Sequence, residues 1–204
     1  MFDIDRTVTS YNCPSGTKIP GAIDNAYGCH ETMEIAQDAK NTVDWCKNKG
    51  CEVAIATDST ATTDFDSKLS TTQGRDAFKD VFSGTKVGDQ LGNYRLYCGN
   101  NPPSNSLCRS RDDGFRGIDK GNMTKSMIDN AKLRPNNVYF FDDSSDNRSQ
   151  FCSYMKPLFP DVNLYATDPV FGGHSQHAGE CSTESNCGLS GNPNISVDDL
   201  TKCS

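Results

Sequence analysis

The chain has 204 residues, a formal net charge of −7 and a pI near 4.9. That length suits one α/β domain with a sizeable core, and the acidic balance excludes nucleic acid as a general partner, because a phosphate backbone needs a basic surface to displace its counterions. No apolar run is long enough to cross a bilayer, and no basic-then-apolar leader is visible.

Phe2, the second residue, leads into the run Asp3-Ile4-Asp5-Arg6-Thr7, two carboxylates on alternate residues leaving a short strand, followed by a hydroxyl. Alternate strand residues face the same way, so one acid can point at a substrate while the turn carries the other back over it. Ser10 to Cys29 is polar, punctuated by Gly and Pro and bracketed by Cys13 and Cys29, which predicts a stapled surface insertion. Glu31 to Lys47 sets Met33, Ala36, Val43 and Trp45 among charges, an amphipathic helix ended by Lys49-Gly50. Cys51-Glu-Val-Ala-Ile-Ala-Thr57 is an apolar run closing on a hydroxyl, as in a buried parallel strand. Cys46 and Cys51 flank the turn between helix and strand and could bridge it, although partners cannot be read from spacing.

Asp58 to Thr72 reads as loop, and Gly74 to Phe82 as a short helix burying Phe78, Val81 and Phe82. Tyr94 to Cys98 is a third strand, and Gly99 to Arg116 a second insertion, containing Cys108. Gly117-Ile-Asp-Lys120-Gly leads into a helix over Asn122 to Lys132, and Val138-Tyr-Phe-Phe-Asp142-Asp143 is an apolar strand ending in paired acids. Phe151 to Phe159 is helical and Val162 to Ala166 a fifth strand. The alternation implies an α/β fold with a parallel sheet and right-handed crossovers. Residues 1–171 are the expected domain, and 172–204 a Gly/Ser/Asn-rich tail pinned by Cys181, Cys187 and Cys203.

Ten cysteines, an even number set among polar loop residues, predict a disulfide framework in an oxidising compartment. With a leader removed, the numbered chain is expected to begin inside a longer, secreted protein. His174, His177, Cys181 and Cys187 superficially resemble a zinc site, but their spacing fits a knuckle poorly. Three glycosylation sequons start at Asn122, Asn147 and Asn194; Asn194 is the expected acceptor, because a glycan on either of the others would crowd Lys120 or the Asp142 loop.

Taken singly, each acidic, hydroxyl or lysine motif is ordinary turn or surface chemistry. In this order the four resemble the haloacid dehalogenase superfamily of phosphotransferases, across roughly Phe2 to Asp168. The resemblance implies a three-layer, Rossmann-like sandwich around a five-stranded parallel sheet with a minimal cap. It makes Asp3 the nucleophile that takes the phosphoryl group, and Asp5 the acid/base whose backbone carbonyl also ligates metal. Asp142 becomes the side-chain Mg²⁺ ligand, with Asp143 ligating or orienting neighbours and Asp146 a third candidate. Thr57, with Ser59 as the alternative, meets a phosphate oxygen. Lys120 is preferred to Lys125 for neutralising phosphate and Asp3, because Lys125 falls inside the helix. The implied function is Mg²⁺-dependent hydrolysis of an extracellular phosphorylated substrate through an aspartyl-phosphate. The alternative is a catalytically silent secreted protein serving homo-oligomer or assembly contacts on the same fold.

Overall fold

Consecutive residues of the buried strands send their side chains to opposite sides, and both sides are apolar. Phe2, Ile55 and Phe141 join a core cluster with Val43, Phe78 and Phe82, while Met1, Ala56 and Phe140 join a second with Met127, Phe151 and Leu164. Covered on both faces, such strands read as continuous apolar runs, which is why they were legible. The computed structural model describes residues 1–4, 7–11, 17–24, 31–35, 37–58, 72–91, 105–115, 119–167 and 200–204.

The protein is mixed α/β. Two parallel pairs hold its centre: β4 (Ile55–Ala56) with β5 (Cys108–Arg109), and β6 (Asn137–Phe141) with β7 (Asn163–Thr167). Phe2 stands between them, bridging in parallel to Ile55 and to Phe141. Its amide donates to Ala54 O at 2.9 Å, and its carbonyl accepts from Ala56 N at 2.9 Å. On the other edge, Asp3 N donates to Phe141 O at 2.9 Å. The Phe2 ring is fully buried and stacks on Phe141 with centroids 5.0 Å apart.

This differs from the expected five-stranded parallel sheet. Among the described residues the parallel strands form two two-stranded pairs, because β4 is two residues long and only Phe2 pairs in the gap. The expected strand Tyr94 to Cys98 lies outside the described residues. β5 falls instead within the stretch read as the second insertion, where two residues are too few to show a period.

The first insertion also differs. β1 (Thr9–Tyr11), β2 (Thr17–Asp24) and β3 (Glu31–Ile35) form an antiparallel sheet of order β1-β3-β2, with Tyr11 opposite Met33. Its register shifts between Lys18 and Ile23, a span containing Pro20 and Gly21, residues that break a ladder. The helix expected from Glu31 starts instead at Gln37, and residues 31–35 are strand. Their apolar members, Met33 and Ile35, are two apart, a strand period hidden at the head of a helical pattern.

The helices are α1 (Gln37–Asn48), α2 (Thr72–Val81), α3 (Lys86–Gln90), α4 (Lys120–Asn130) and α5 (Ser145–Leu158). α1 ends where Gly50, at φ +72°, closes the turn. α3, which the sequence did not announce, is capped by Thr85, whose hydroxyl accepts from Gly88 N at 3.0 Å. α4 approaches α5 closely at Gly121, where a Cβ would lie 2.8 Å from Tyr154 Cβ. That approach seats the first turn of α4, and with it Lys120, against the sheet.

The end of the tail is pinned as expected. Cys203 is disulfide-bonded to Cys152 on α5, Lys202 bridges Tyr165, and Ala166 N donates to Thr201 O at 2.9 Å. The bridge closes a span of 51 residues, for which chain entropy gives ~4 kcal/mol. Selective reduction should therefore speed amide exchange at Ala166 and Cys203 while leaving Phe141 protected; equal exchange before and after would show that packing alone holds the tail. Cys108 is also disulfide-bonded, whereas Cys46 and Cys51 are free thiols, so the bridge these two could make across the α1–β4 turn is open.

Candidate active site at the carboxyl ends of the parallel strands

Three strand ends converge on one buried polar cluster. Asp3 follows Phe2, Thr57 follows β4 and Asp142 follows β6, and all three are buried. Such strand ends, with helix N-termini beside them, are where α/β sheets gather ligands. Lys120, the first residue of α4, is fully buried and reaches back into the cluster. Its Nζ donates to Asp3 Oδ1 at 2.5 Å and to Ala56 O at 2.8 Å, and stands 3.7 Å from Asp142 Oδ2.

Asp142 is held from three directions. Ser144 N donates to its Oδ1 at 2.9 Å, and Asn147 Nδ2 donates to Oδ1 and Oδ2 at 3.0 and 3.1 Å. Arg148 fixes the backbone beneath, its NH1 donating to the carbonyls of Asp142 and Asp143 at 2.7 and 2.8 Å. Asp143 N donates to Thr7 Oγ1 at 3.2 Å, which ties the turn after Asp3 to the loop after β6. One oxygen from each of Asp3, Asp142 and Asp143 lies within 4.8 Å of the others. Three hard carboxylates this close, two of them paired with the Lys120 ammonium, could hold a small divalent cation such as Mg²⁺.

Of the sequence candidates, Asp3, Lys120, Asp142 and Asp143 come together, and Thr57 sits beside the carbonyl that Lys120 binds. Asp5 and Ser59 lie outside the described residues. Lys125 is on the outer side of α4 and pairs with Asp129. Asp146 is exposed in the first turn of α5, outside the acidic cluster. The cap of α5 is Ser144, whose hydroxyl accepts from Asn147 N at 3.4 Å. His174, His177, Cys181, Cys187 and the Asn194 sequon lie outside the described residues.

Sequence reasoning missed the orienting roles of Asn147, Arg148 and Thr7. Asn147 begins a sequon, but its amide is engaged by Asp142, which a glycan would displace. The available signal was its position: once Asp142 ends a strand and Ser144 caps a helix, Asn147 falls on the first turn, facing back.

Burial raises the Asp142 carboxyl to about 6, with the like charge of Asp143 adding to it, while Lys120, Asn147 and Ser144 N oppose the shift. The folded value exceeds the unfolded one, so the neutral acid is favoured by folding. Its contribution is full below about pH 4 and is lost as pH rises through about 6. Asp142→Asn mimics the neutral form. In chelator, the variant's melting temperature should exceed the wild type's by a margin that widens between about pH 4 and pH 7; a margin independent of pH would show that Lys120 already keeps the carboxylate ionised without penalty.

Comparisons with protein-family models, with curated proteins and with solved structures each returned no match for this chain. The functional reading therefore rests on the residues and their arrangement. Among the described residues, no helix is long and apolar enough to cross a membrane.

Proposed function

We propose that this protein is a Mg²⁺-dependent phosphoester hydrolase that works through an aspartyl-phosphate on Asp3, in an extracellular or secretory-lumen setting. The observation that carries the reading is the buried cluster in which Lys120 Nζ lies 2.5 Å from Asp3 and the carboxylates of Asp3, Asp142 and Asp143 crowd within 4.8 Å. Burying the Asp3 and Asp142 carboxylates against one ammonium, with half-buried Asp143 beside them, leaves negative charge that is costly without a further cation. The motif order that resembles the haloacid dehalogenase superfamily supports the same assignment. With it goes the finer fold reading, in which Phe2 is the middle position of a five-stranded Rossmann-like sheet ordered β5-β4-Phe2-β6-β7 and covered by helices on both faces. The disulfides at Cys108 and Cys152–Cys203 support the oxidising compartment.

In the first step an Asp3 oxygen attacks phosphorus, forming the acyl phosphate as the phosphoester bond breaks. Asp5, assigned by its motif, protonates the departing oxygen and then takes a proton from the water that splits the acyl phosphate, regenerating Asp3 and releasing phosphate. Lys120 fixes the Asp3 carboxylate and balances charge on the transferring group, and the Thr57 hydroxyl is available to a phosphate oxygen. Asp3, Asp142, Asp143 and the Asp5 carbonyl would hold Mg²⁺, which would supply positive charge to screen the repulsion between Asp3 and its anionic substrate.

The test is phosphate release from an aryl phosphomonoester by the unreduced chain, with Mg²⁺ and with chelator. Release that requires Mg²⁺ supports the proposal. Its absence in both conditions would favour the silent, assembly-serving alternative.

A further inference from the structure

Away from the acidic cluster, at the amino ends of the parallel strands, α1 stops in a turn that brings two free thiols together. Gly50 N donates to Lys47 O at 2.9 Å and Cys51 N to Cys46 O at 2.9 Å, with Gly50 left-handed at φ +72°. This paired closure of a helix C-terminus juxtaposes the residue three past the last helical one with a residue in the last turn. Here those two residues are Cys51 and Cys46.

The two differ in access. Cys46 is buried in the core beneath α1, while Cys51 is half-buried, and both line a cavity of about 570 Å³ with Trp45, Lys49, Arg134 and Tyr139. That volume is in the range that admits small organic ligands.

We propose that Cys51 and Cys46 form a dithiol–disulfide site that exchanges with small disulfides of the glutathione class entering this cavity, Cys51 attacking first and Cys46 resolving. The hydrogen bond from the Cys46 thiol brings the Cys51 thiol down to about 7, against burial, and holds the Cys46 thiol well above its usual value. Cys51 is thus the stronger source of thiolate, the attacking species.

In the first exchange the Cys51 thiolate attacks one sulfur of glutathione disulfide. That S–S bond breaks, one glutathione leaves as thiolate, and a mixed disulfide forms on Cys51. Cys46 Sγ then attacks Cys51 Sγ, expelling the second glutathione and closing the Cys46–Cys51 bond. Two protein thiols lose two electrons, one disulfide is reduced to two thiols, and the thiol protons pass to the glutathione produced. The closed bond ties the last turn of α1 to the approach to β4, in the wall of the cavity.

The site is tested by equilibrating the folded 204-residue chain in oxidised or reduced glutathione, alkylating remaining thiols, and mapping unreduced peptides by mass spectrometry. In oxidised glutathione both thiols should be lost to alkylation and a Cys46–Cys51 linkage should appear. In reduced glutathione the linkage should reopen while Cys152–Cys203 persists. Cys46→Ser should accumulate glutathione on Cys51, and Cys51→Ser should take up little on Cys46. Thiols that stay alkylatable in oxidised glutathione, a linkage of either residue to another cysteine, or a Cys46→Ser variant that takes up no glutathione would each overturn the proposal.

Discussion

Replacing Asp3 by Asn is expected to reduce Mg²⁺-dependent phosphate release at least ~1,000-fold while leaving the fold in place. The substitution changes little volume and keeps an oxygen that can accept from Lys120 Nζ, now 2.5 Å from the carboxylate. It removes the nucleophile's charge, and an amide oxygen does not form the acyl phosphate. Steady-state release and a melting curve measured on the same preparation separate the two effects. Turnover within a few-fold of wild type would show that the phosphoryl group is never carried by this side chain.

Lys120→Met should have the largest effect on stability. The ammonium is fully buried between Asp3 and Asp142, and its removal leaves carboxylates facing one another without a counter-charge. Breaking a buried pair on one side costs roughly 3–5 kcal/mol, which for a chain of this size lowers the melting temperature by roughly 6–20 °C. Mg²⁺ should recover part of the loss by supplying the missing positive charge. Lys125→Met is the control: that lysine is on the surface of α4 with Asp129, where solvent screens the ion pair and its loss should hardly move the melting temperature. Equal melting temperatures for the two variants would mean that the buried cluster is not held by Lys120.

The contrast between these lysines marks what was legible in the sequence. Lys120 stands at the first position of α4, where a side chain can turn back into the strand-end region, whereas Lys125 is within the helix and points outward. Asp3 and Asp142 were legible because each terminates an apolar run buried on both faces, a pattern that survives even in strands as short as β4. The orienting shell was not. Asn147 acts through the geometry of the first turn of α5, and Thr7 through a contact across more than a hundred residues of chain, which no local spacing encodes.

The fold outside the centre was less legible for the same reason. β1 and β3 are joined by cross-strand partners such as Thr9 and Ile35, and antiparallel pairing of short polar strands depends on those partners more than on intrinsic preference. β5 is two residues beside β4, selected by the gap it fills. At the α1–β4 turn the cysteines were visible but their relation was not: Lys49-Gly50 signalled the helix stop, and only the closed turn brings Cys46 and Cys51 side by side.

The proposed hydrolysis requires a covalent phosphoryl group at one carboxylate. The most direct measurement is acid quench of the unreduced protein during turnover of a phosphomonoester in Mg²⁺, followed by peptide mass spectrometry. A phosphoryl adduct on Asp3 that disappears in chelator is the predicted result; turnover with no adduct on Asp3, or an adduct on another residue, would contradict it.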